Sequence, residues 1–350
     1  GSSAASDVYK RQILLCTFEG SPRKFKMPII PVFNIQSQKE FEQKALQVFK
    51  FQYENLTIYK TYCDLLKVDP HKVLKISDIP FLPITFFKQQ PILANNCVVE
   101  KIFTSSGTTS NTTSKHYVAD LKLYKTSFTT AFKQQYGAIE DYTILALLPS
   151  YLESEGSSLV YMVDALIAMS QQPKSGFYLD NLDALASTIK ALELQKKKTL
   201  LLGVSYALLD LIEAHTFKLK HTIIMETGGM KGRRKELIKE SLHEKLSKGF
   251  GVKTIHSEYG MTELLSQAYS KGNGIFKCPP WMRVLTRDTQ DPRGWVRGKT
   301  GGINVIDLAN QYTCSFIATQ DLGRSNKDGS FEILGRFDTS DVRGCNLMVD

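Results

Sequence analysis

The sequence has no apolar run near the roughly 20 residues that a membrane-spanning helix requires. Its longest, Ile144-Leu145-Ala146-Leu147-Leu148, has the length of a buried strand. It also has no Cys-x-x-Cys pair. The six cysteines (Cys16, Cys63, Cys97, Cys278, Cys314 and Cys345) fit no zinc template. With no signal peptide expected, they read as free thiols in a reducing cytoplasm. There is no GxxxxGK[ST], which excludes a Walker-type loop. Gly272-Asn273-Gly274 lacks the third glycine of a dinucleotide loop, and His243-Glu244 meets Ser247 where a zinc-protease helix needs a second histidine. Gly203-Val204-Ser205-Tyr206-Ala207 falls one residue short of GxSxG. Ser205 still lies between an expected strand and an expected helix. A serine acyltransferase or esterase therefore stays open beside the plainer role of capping that helix. No internal repeat is evident. Lys196-Lys197-Lys198 and the stretch Lys231 to Lys235 are separate clusters with no aromatics interleaved, which reads against nucleic acid.

What is present is an ordinary globular composition: 350 residues, 42% hydrophobic and 23% charged, enough for one large domain or two modest ones. The net charge of +9 is compatible with anionic substrates such as nucleotides and carboxylates. Residues 1–26 read differently from the rest. Asp7-Val8-Tyr9-Lys10-Arg11-Gln12 resembles the translation of a sequencing adapter, so this stretch is expected to be a non-native, disordered leader with Met27 as the true start. Asp350 is likewise expected to mark the end of an assembled read rather than of the protein.

After the leader, residues 37–67 read as helix, with Phe41, Ala45, Val48 and Phe49 on one face. Ile79-Pro80-Phe81-Leu82-Pro83-Ile84 must be extended. Residues 120–136 form a second helix with Leu121, Tyr124, Phe128 and Phe132 on its face. Thr143 to Leu148 is a strand; Leu159 to Met169 and Asn181 to Leu194 are helices. Strands at Thr199 to Val204, Thr222 to Met225 and Val252 to His256 then alternate with helices at Tyr206 to Ala214 and Arg233 to Lys248. This alternation predicts an α/β fold whose parallel sheet is covered on both faces, with ligands at the carboxyl ends of the strands. Beyond residue 280, short runs such as Gly302 to Asp307, Cys314 to Thr319 and Phe331 to Leu334 read as small antiparallel strands.

Each segment of chemical interest follows a strand. Thr104-Ser105-Ser106-Gly107-Thr108-Thr109-Ser110-Asn111-Thr112-Thr113-Ser114-Lys115 lies between apolar Ile102-Phe103 and Tyr117-Val118. Such a run is a solvated loop or a cradle of hydroxyls and N–H groups for an anion, with Lys115 as a point charge. Gly228-Gly229 is a glycine turn. Tyr259-Gly260-Met261-Thr262-Glu263 pairs an aromatic that can stack on a base with a carboxylate suited to Mg²⁺, which prefers hard oxygen ligands.

Together, Ser105-Ser106-Gly107-Thr108-Thr109 and Tyr259-Gly260-Met261-Thr262-Glu263 resemble the adenylate-forming superfamily of acyl-CoA synthetases and related ligases. Within that resemblance, Gly228-Gly229 is similar to the segment along the adenine edge. Asp321 in Ala318-Thr319-Gln320-Asp321 corresponds to the ribose-binding aspartate, and Gly335-Arg336-Phe337-Asp338 to the hinge, whose arginine also approaches the nucleotide. Phe81-Leu82-Pro83-Ile84, Thr104-Ser105-Ser106-Gly107 and Asp341-Val342-Arg343-Gly344-Cys345 resemble the LuxE-type acyl-protein synthetases of bacterial bioluminescence.

The resemblance implies an adenylate-forming N-terminal domain: an α/β core over residues 27–280 with largely parallel sheets, and a small β-rich subdomain over 281–350. The full mobile C-terminal domain of the larger ligases is expected to be absent. It implies ATP-dependent activation of a fatty acid to an acyl-adenylate, with Mg²⁺ on Glu263, followed by transfer to a protein cysteine. Nucleotide would be bound by Thr104, Ser105, Ser106, Gly107, Thr108, Thr109, Gly228, Gly229, Tyr259, Gly260, Thr262, Asp321 and Arg336. Thr108 and Lys115 would act on the phosphates and Cys345 would carry the acyl group. An acyl-reductase or acyl-transferase protein is the implied partner. Three other readings stay open: an acyl-CoA or carrier-protein ligase, the Ser205 acyltransferase or esterase, and a nucleotide-binding subunit without catalysis.

Overall fold

The structure, a computed structural model, describes residues 29–105, 113–149, 156–179, 181–229, 233–234, 237–291 and 294–337. The leader expected over residues 1–26 lies outside them. In chain order the elements begin with α1 (Gln38–Asn55), α2 (Thr57–Leu65), β1 (Leu82–Pro83), α3 (Phe86–Gln89), β2 (Lys101–Thr104) and β3 (Lys115–Val118). Then come α4 (Leu121–Tyr136), β4 (Thr143–Leu147), α5 (Ser158–Ser170), β5 (Gly176–Phe177), α6 (Leu182–Leu194), β6 (Thr199–Val204), α7 (Ser205–Ala214), β7 (Thr222–Thr227) and α8 (Lys239–Phe250). The chain continues through β8 (His256–Tyr259), β9 (Ala268–Ser270), β10 (Ile275–Lys277), β11 (Met282–Arg287), β12 (Trp295–Val296), β13 (Gly301–Asp307), β14 (Phe316–Ser325) and β15 (Phe331–Arg336).

Local chemistry sets several helix starts. Ser37, Asp120, Ser157 and Asn181 each accept a hydrogen bond from a backbone N–H in the first turn of α1, α4, α5 and α6. Each satisfies one of the otherwise unpaired donors there. β4 and β6 are buried at every position, the signature of strands covered on both faces.

One sheet of 13 strands runs β12-β11-β13-β14-β15-β10-β9-β8-β7-β6-β4-β5, and β1 joins β14 in parallel. The strands expected from strand–helix alternation form its parallel half as β4-β6-β7-β8, and β5, which the sequence did not announce, extends it beyond β4. The short strands beyond residue 280 supply most of the antiparallel half, which β10 joins to the rest through β15. The boundary expected after residue 280 therefore falls between β10 and β11, two strands of the same sheet. β2 and β3 stand apart as a hairpin.

Four expectations need correction. The single helix over 37–67 is two, because Leu56 is extended (φ −106°, ψ 101°) and buries its side chain. The helix expected from Arg233 starts at Lys239; Arg234 precedes it and clamps Asp210 and Glu213 of α7. The strand expected over Val252 to His256 lies at β8, pairing Glu226 with Ser257 and Tyr259 with Ala268. Ser257 and Glu258 are buried polar residues, so a hydropathy pattern reads them as a turn. β14 extends to Ser325, which places Asp321 inside a strand.

Candidate active site

The parallel strands end in register: Leu147 faces Gly203 and Val204 faces Thr227. Ser205, Gly228-Gly229 and Gly260 therefore leave the sheet along one edge. Gly228 has φ 67°, a left-handed conformation that favours glycine. A Cβ on Gly260 would stand 2.5 Å from Glu258 Oε1, so the chain turns there against a carboxyl group.

Ser205 is not the cap of α7. Val204 holds the cap position, and the Ser205 hydroxyl lies 3.3 Å from the Gly228 carbonyl and 3.4 Å from Glu226 Oε2. The nearby histidine, His243, instead places Nε2 3.3 Å from both Glu226 Oε1 and Ser257 Oγ. Among the described residues, no histidine is positioned as a base for Ser205. What Ser205 does is tie the start of α7 to the end of β7 and the Gly228 turn.

Tyr259, Asp321 and Arg336 come together across the sheet. The Tyr259 hydroxyl donates to Asp321 Oδ2 at 2.8 Å, and Arg336 Nε lies 3.2 Å from Asp321 Oδ1. Asp321 and Arg336 are direct cross-strand partners on β14 and β15. Burial raises the Asp321 carboxyl pKa, and the Arg336 charge and Tyr259 hydroxyl pull it back down. Arg336 is exposed, while Tyr259 and Asp321 are buried.

The described ends of the Ser/Thr stretch, Thr104-Ser105 and residues 113–115, lie against each other on the β2–β3 hairpin. Thr104 pairs with Lys115, the Ser105 N–H donates to the Ser114 carbonyl at 3.0 Å, and the Ser114 N–H donates to Ser105 Oγ at 2.9 Å. Ser106, Gly107, Thr108 and Thr109 lie outside the described residues, as does Cys345. Thr104 is held from behind by the Gly156 carbonyl, which accepts its N–H at 2.9 Å. Lys115 is exposed, and the neighbouring His116 is fully buried.

Glu263 meets this hairpin. It is buried, which raises its pKa; a hydrogen bond with Ser114 and the charges of Arg336 and Lys88 oppose that rise. Among the described residues no group of three or more His, Cys, Asp or Glu side chains could hold a metal ion alone. One buried carboxyl at the mouth of a hydroxyl-rich hairpin suits Mg²⁺ carried on phosphates, because that ion is commonly bound through one or two carboxylates plus substrate oxygens.

Sequence reasoning missed the residues that hold this arrangement from beneath. Asp307 is fully buried and accepts from the N–H groups of Leu265 and Ala309 and from the Ser266 hydroxyl. Burial lifts its pKa to about 6. The Trp281 indole N–H is shared between Ser127 at 3.0 Å and Ser266 at 2.9 Å. The segment after Glu263 is thereby pinned to α4 and β13. Glu258 was also missed. Burial raises its pKa to about 7; the Thr227 hydroxyl opposes this and the Glu226 charge adds to it. Glu226 itself is held down at about 2, despite its burial, by His243 and Lys239. A Glu inside a strand is a signal, but only once the strand is placed correctly.

The family model for the acyl-protein synthetase LuxE matches residues 30–143. The long-chain-fatty-acid–luciferin-component ligase of Photorhabdus luminescens is 34% identical over 82 residues, covering 23% of this chain and 69% of that protein. Among solved structures, an open conformation of 2-hydroxyisobutyryl-CoA ligase with 2-HIB-AMP and CoA superimposes with TM-score 0.66 at 12% identity, over 91% of this chain and 77% of that one. ATP-bound MatB from Rhodopseudomonas palustris gives TM-score 0.52 at 17% identity over 68% of this chain. The chain spans about half the length of MatB, 48%. These likenesses establish the adenylate-forming fold.

Proposed function

The chain belongs to the LuxE acyl-protein synthetase family, and from that premise we propose that it activates a fatty acid with ATP and passes the acyl group to a cysteine thiol. The observation that carries this reading is the Tyr259–Asp321–Arg336 cluster, set beside Glu263 and the hairpin that bears the Ser/Thr stretch.

In the first step a fatty-acid carboxylate oxygen attacks the α-phosphorus of ATP. The bond to the bridging oxygen breaks and pyrophosphate leaves. Asp321 would accept from the ribose hydroxyls, Tyr259, Gly260, Gly228 and Gly229 would border the base, and Arg336 would face phosphate. Thr104 to Thr109, Thr262 and Lys115 would offer donors to the departing phosphates, with Thr108 and Lys115 nearest the chemistry. Mg²⁺, held through Glu263, would neutralise phosphate charge. In the second step a thiolate, proposed to be Cys345, attacks the acyl carbon. A C–S bond forms, AMP leaves, and the thiol proton goes to solvent.

The fatty-acid substrate is carried by the family likeness; the small apolar void between α4, α5 and the sheet, bounded by Phe132, Ile144, Met162, Leu166, Met225 and Tyr269, has room for no more than a water-sized molecule. The Tyr269 hydroxyl at its wall is buried, with no hydrogen-bond partner among the described residues. The implied partner is an acyl-reductase or acyl-transferase that takes the thioester onward. Among the described residues no helix is long and apolar enough to cross a membrane.

Incubation with ATP, Mg²⁺ and labelled long-chain fatty acid should give acyl-protein that hydroxylamine releases. Cys345→Ser should abolish that label and retain fatty-acid-dependent ATP–pyrophosphate exchange. Label that persists in Cys345→Ser would remove the cysteine assignment. Transfer to free CoA that survives the substitution would favour a CoA ligase. No exchange with any fatty acid would sink the activation reading.

A further inference from the structure

We propose that His116 is a positioning residue of this centre: its ring fastens the Thr262–Glu263 segment to the base of the Ser/Thr hairpin and so aims the Glu263 carboxylate. The proposal rests on the reading above for the role of Glu263, while its geometry stands independently.

His116 lies on β3, two residues beyond Ser114, and is completely buried. Its Nδ1 is 2.7 Å from the Thr262 carbonyl, so Nδ1 carries the proton and donates. Its Nε2 is 2.9 Å from Thr313 Oγ1 and 3.0 Å from Asn310 Oδ1. With Nδ1 protonated and the ring neutral, Nε2 and Asn310 Oδ1 are both acceptors, and the single Thr313 hydroxyl proton is shared between them. Burial favours that neutral state and lowers the pKa to about 4. The Phe87 ring packs edge-on at 5.8 Å and holds the imidazole plane.

The neighbouring carbonyl is also captured. Asn310 Nδ2 donates to the Glu263 carbonyl at 2.8 Å and to the Cys314 carbonyl at 2.9 Å. Two successive carbonyls, Thr262 and Glu263, are therefore held from one side by a linked His116–Asn310–Thr313 unit. Fixing both fixes the backbone on either side of the Glu263 Cα, and with it the direction in which the side chain leaves. That side chain then interacts with Ser114, on the same hairpin arm as His116. The partners of His116 lie 146 to 197 residues away in the chain, so the ring serves a long-range junction rather than a local turn. A carboxylate needs such support because a small error in its placement against a phosphate-bound cation costs much of the interaction.

The test is calorimetric titration of AMP without metal, and of ATP with and without Mg²⁺, on the wild-type chain and three variants. His116→Phe fills the space and removes both hydrogen bonds. It should erase about tenfold of the Mg²⁺-dependent tightening of ATP, the scale of one lost buried hydrogen bond, and leave AMP affinity within about twofold. His116→Asn, which keeps a donor near Nδ1, should recover most of the loss. Thr313→Val removes one hydroxyl and should show the same selective loss at about twofold to fivefold, so the proposal stays testable even if His116→Phe does not fold. Equal weakening of AMP and Mg²⁺-ATP, or an unchanged Mg²⁺ increment in both Thr313→Val and a folded His116→Phe, would overturn it. So would a wild-type chain with no Mg²⁺ increment. A wild-type chain that shows the increment but no pyrophosphate exchange would overturn only the proposed activity.

Discussion

Replacing Asp321 by Ala should lower kcat/KM for ATP by roughly 10²- to 10⁴-fold. The proposed role is acceptance of both ribose hydroxyls by one carboxylate. Two charge-assisted hydrogen bonds at about 1.5–3 kcal/mol each give that range. The site is prepared for this role: Tyr259 and Arg336 bracket the carboxylate at 2.8 and 3.2 Å and set its plane. The burial that raises its pKa also means that water does not compete freely for its lone pairs. ATP–pyrophosphate exchange measured with ATP and with 2′-deoxy-ATP gives the check. Wild type should prefer ATP, and Asp321→Ala should treat the two alike. A variant that keeps the preference would show that the ribose is read elsewhere.

Replacing Glu258 by Gln should stabilise the fold above pH 7 by about 3 kcal/mol, and much less at pH 5. In the native chain Glu258 keeps its proton up to about pH 7, against an ordinary value of 4.5. Between those values the folded state binds a proton that the unfolded state has released. Stability from this group is therefore present below pH 4.5 and is lost as pH rises through 7. Gln cannot ionise, accepts the same Thr227 hydroxyl, and avoids the loss. Other groups act in overlapping windows. Burial lowers the pKa of His116 and His256 to about 4, so they favour folding as pH rises from there to 6.5; Asp307, raised to about 6, does the reverse. The variant-minus-wild-type difference cancels these. Denaturant unfolding at pH 5 and pH 8 measures it, and a difference that does not widen with pH would show that Glu258 is ionised in the fold.

The parts of this fold written in hydrophobic period were legible. Thr199 to Val204 matches β6 in full, and the faces of α1 and α4 bury the aromatics their spacing assigns. Elements held together by polar side chains were not. Ser257, Glu258 and Asp321 sit within strands because His243 meets the first, the Thr227 hydroxyl the second, and Tyr259 and Arg336 the third, and no local pattern records a partner 62 residues away. The same holds for the site. Tyr259, Asp321 and Arg336 are visible as motif residues, and the structure brings them within hydrogen-bonding distance. His116, Asn310 and Asp307 become visible only when distant turns are brought together.

The parallel pairing of β1 with β14 has a consequence for how the chain is made. Leu82 pairs with Ile317, and Gln52 of α1 reaches the carbonyls of Asn310 and Gln311 and the Ser315 hydroxyl. α1 and β1 thus have partners that are synthesised much later, 258 residues on for Gln52 and Asn310. At roughly 5–20 residues per second, the segment around Leu82 waits on the order of ten seconds or more for its neighbour. Until then Phe49 and Tyr59 can meet each other, but the faces of Phe49, Tyr59 and Phe81 that pack on Phe316 stay uncovered.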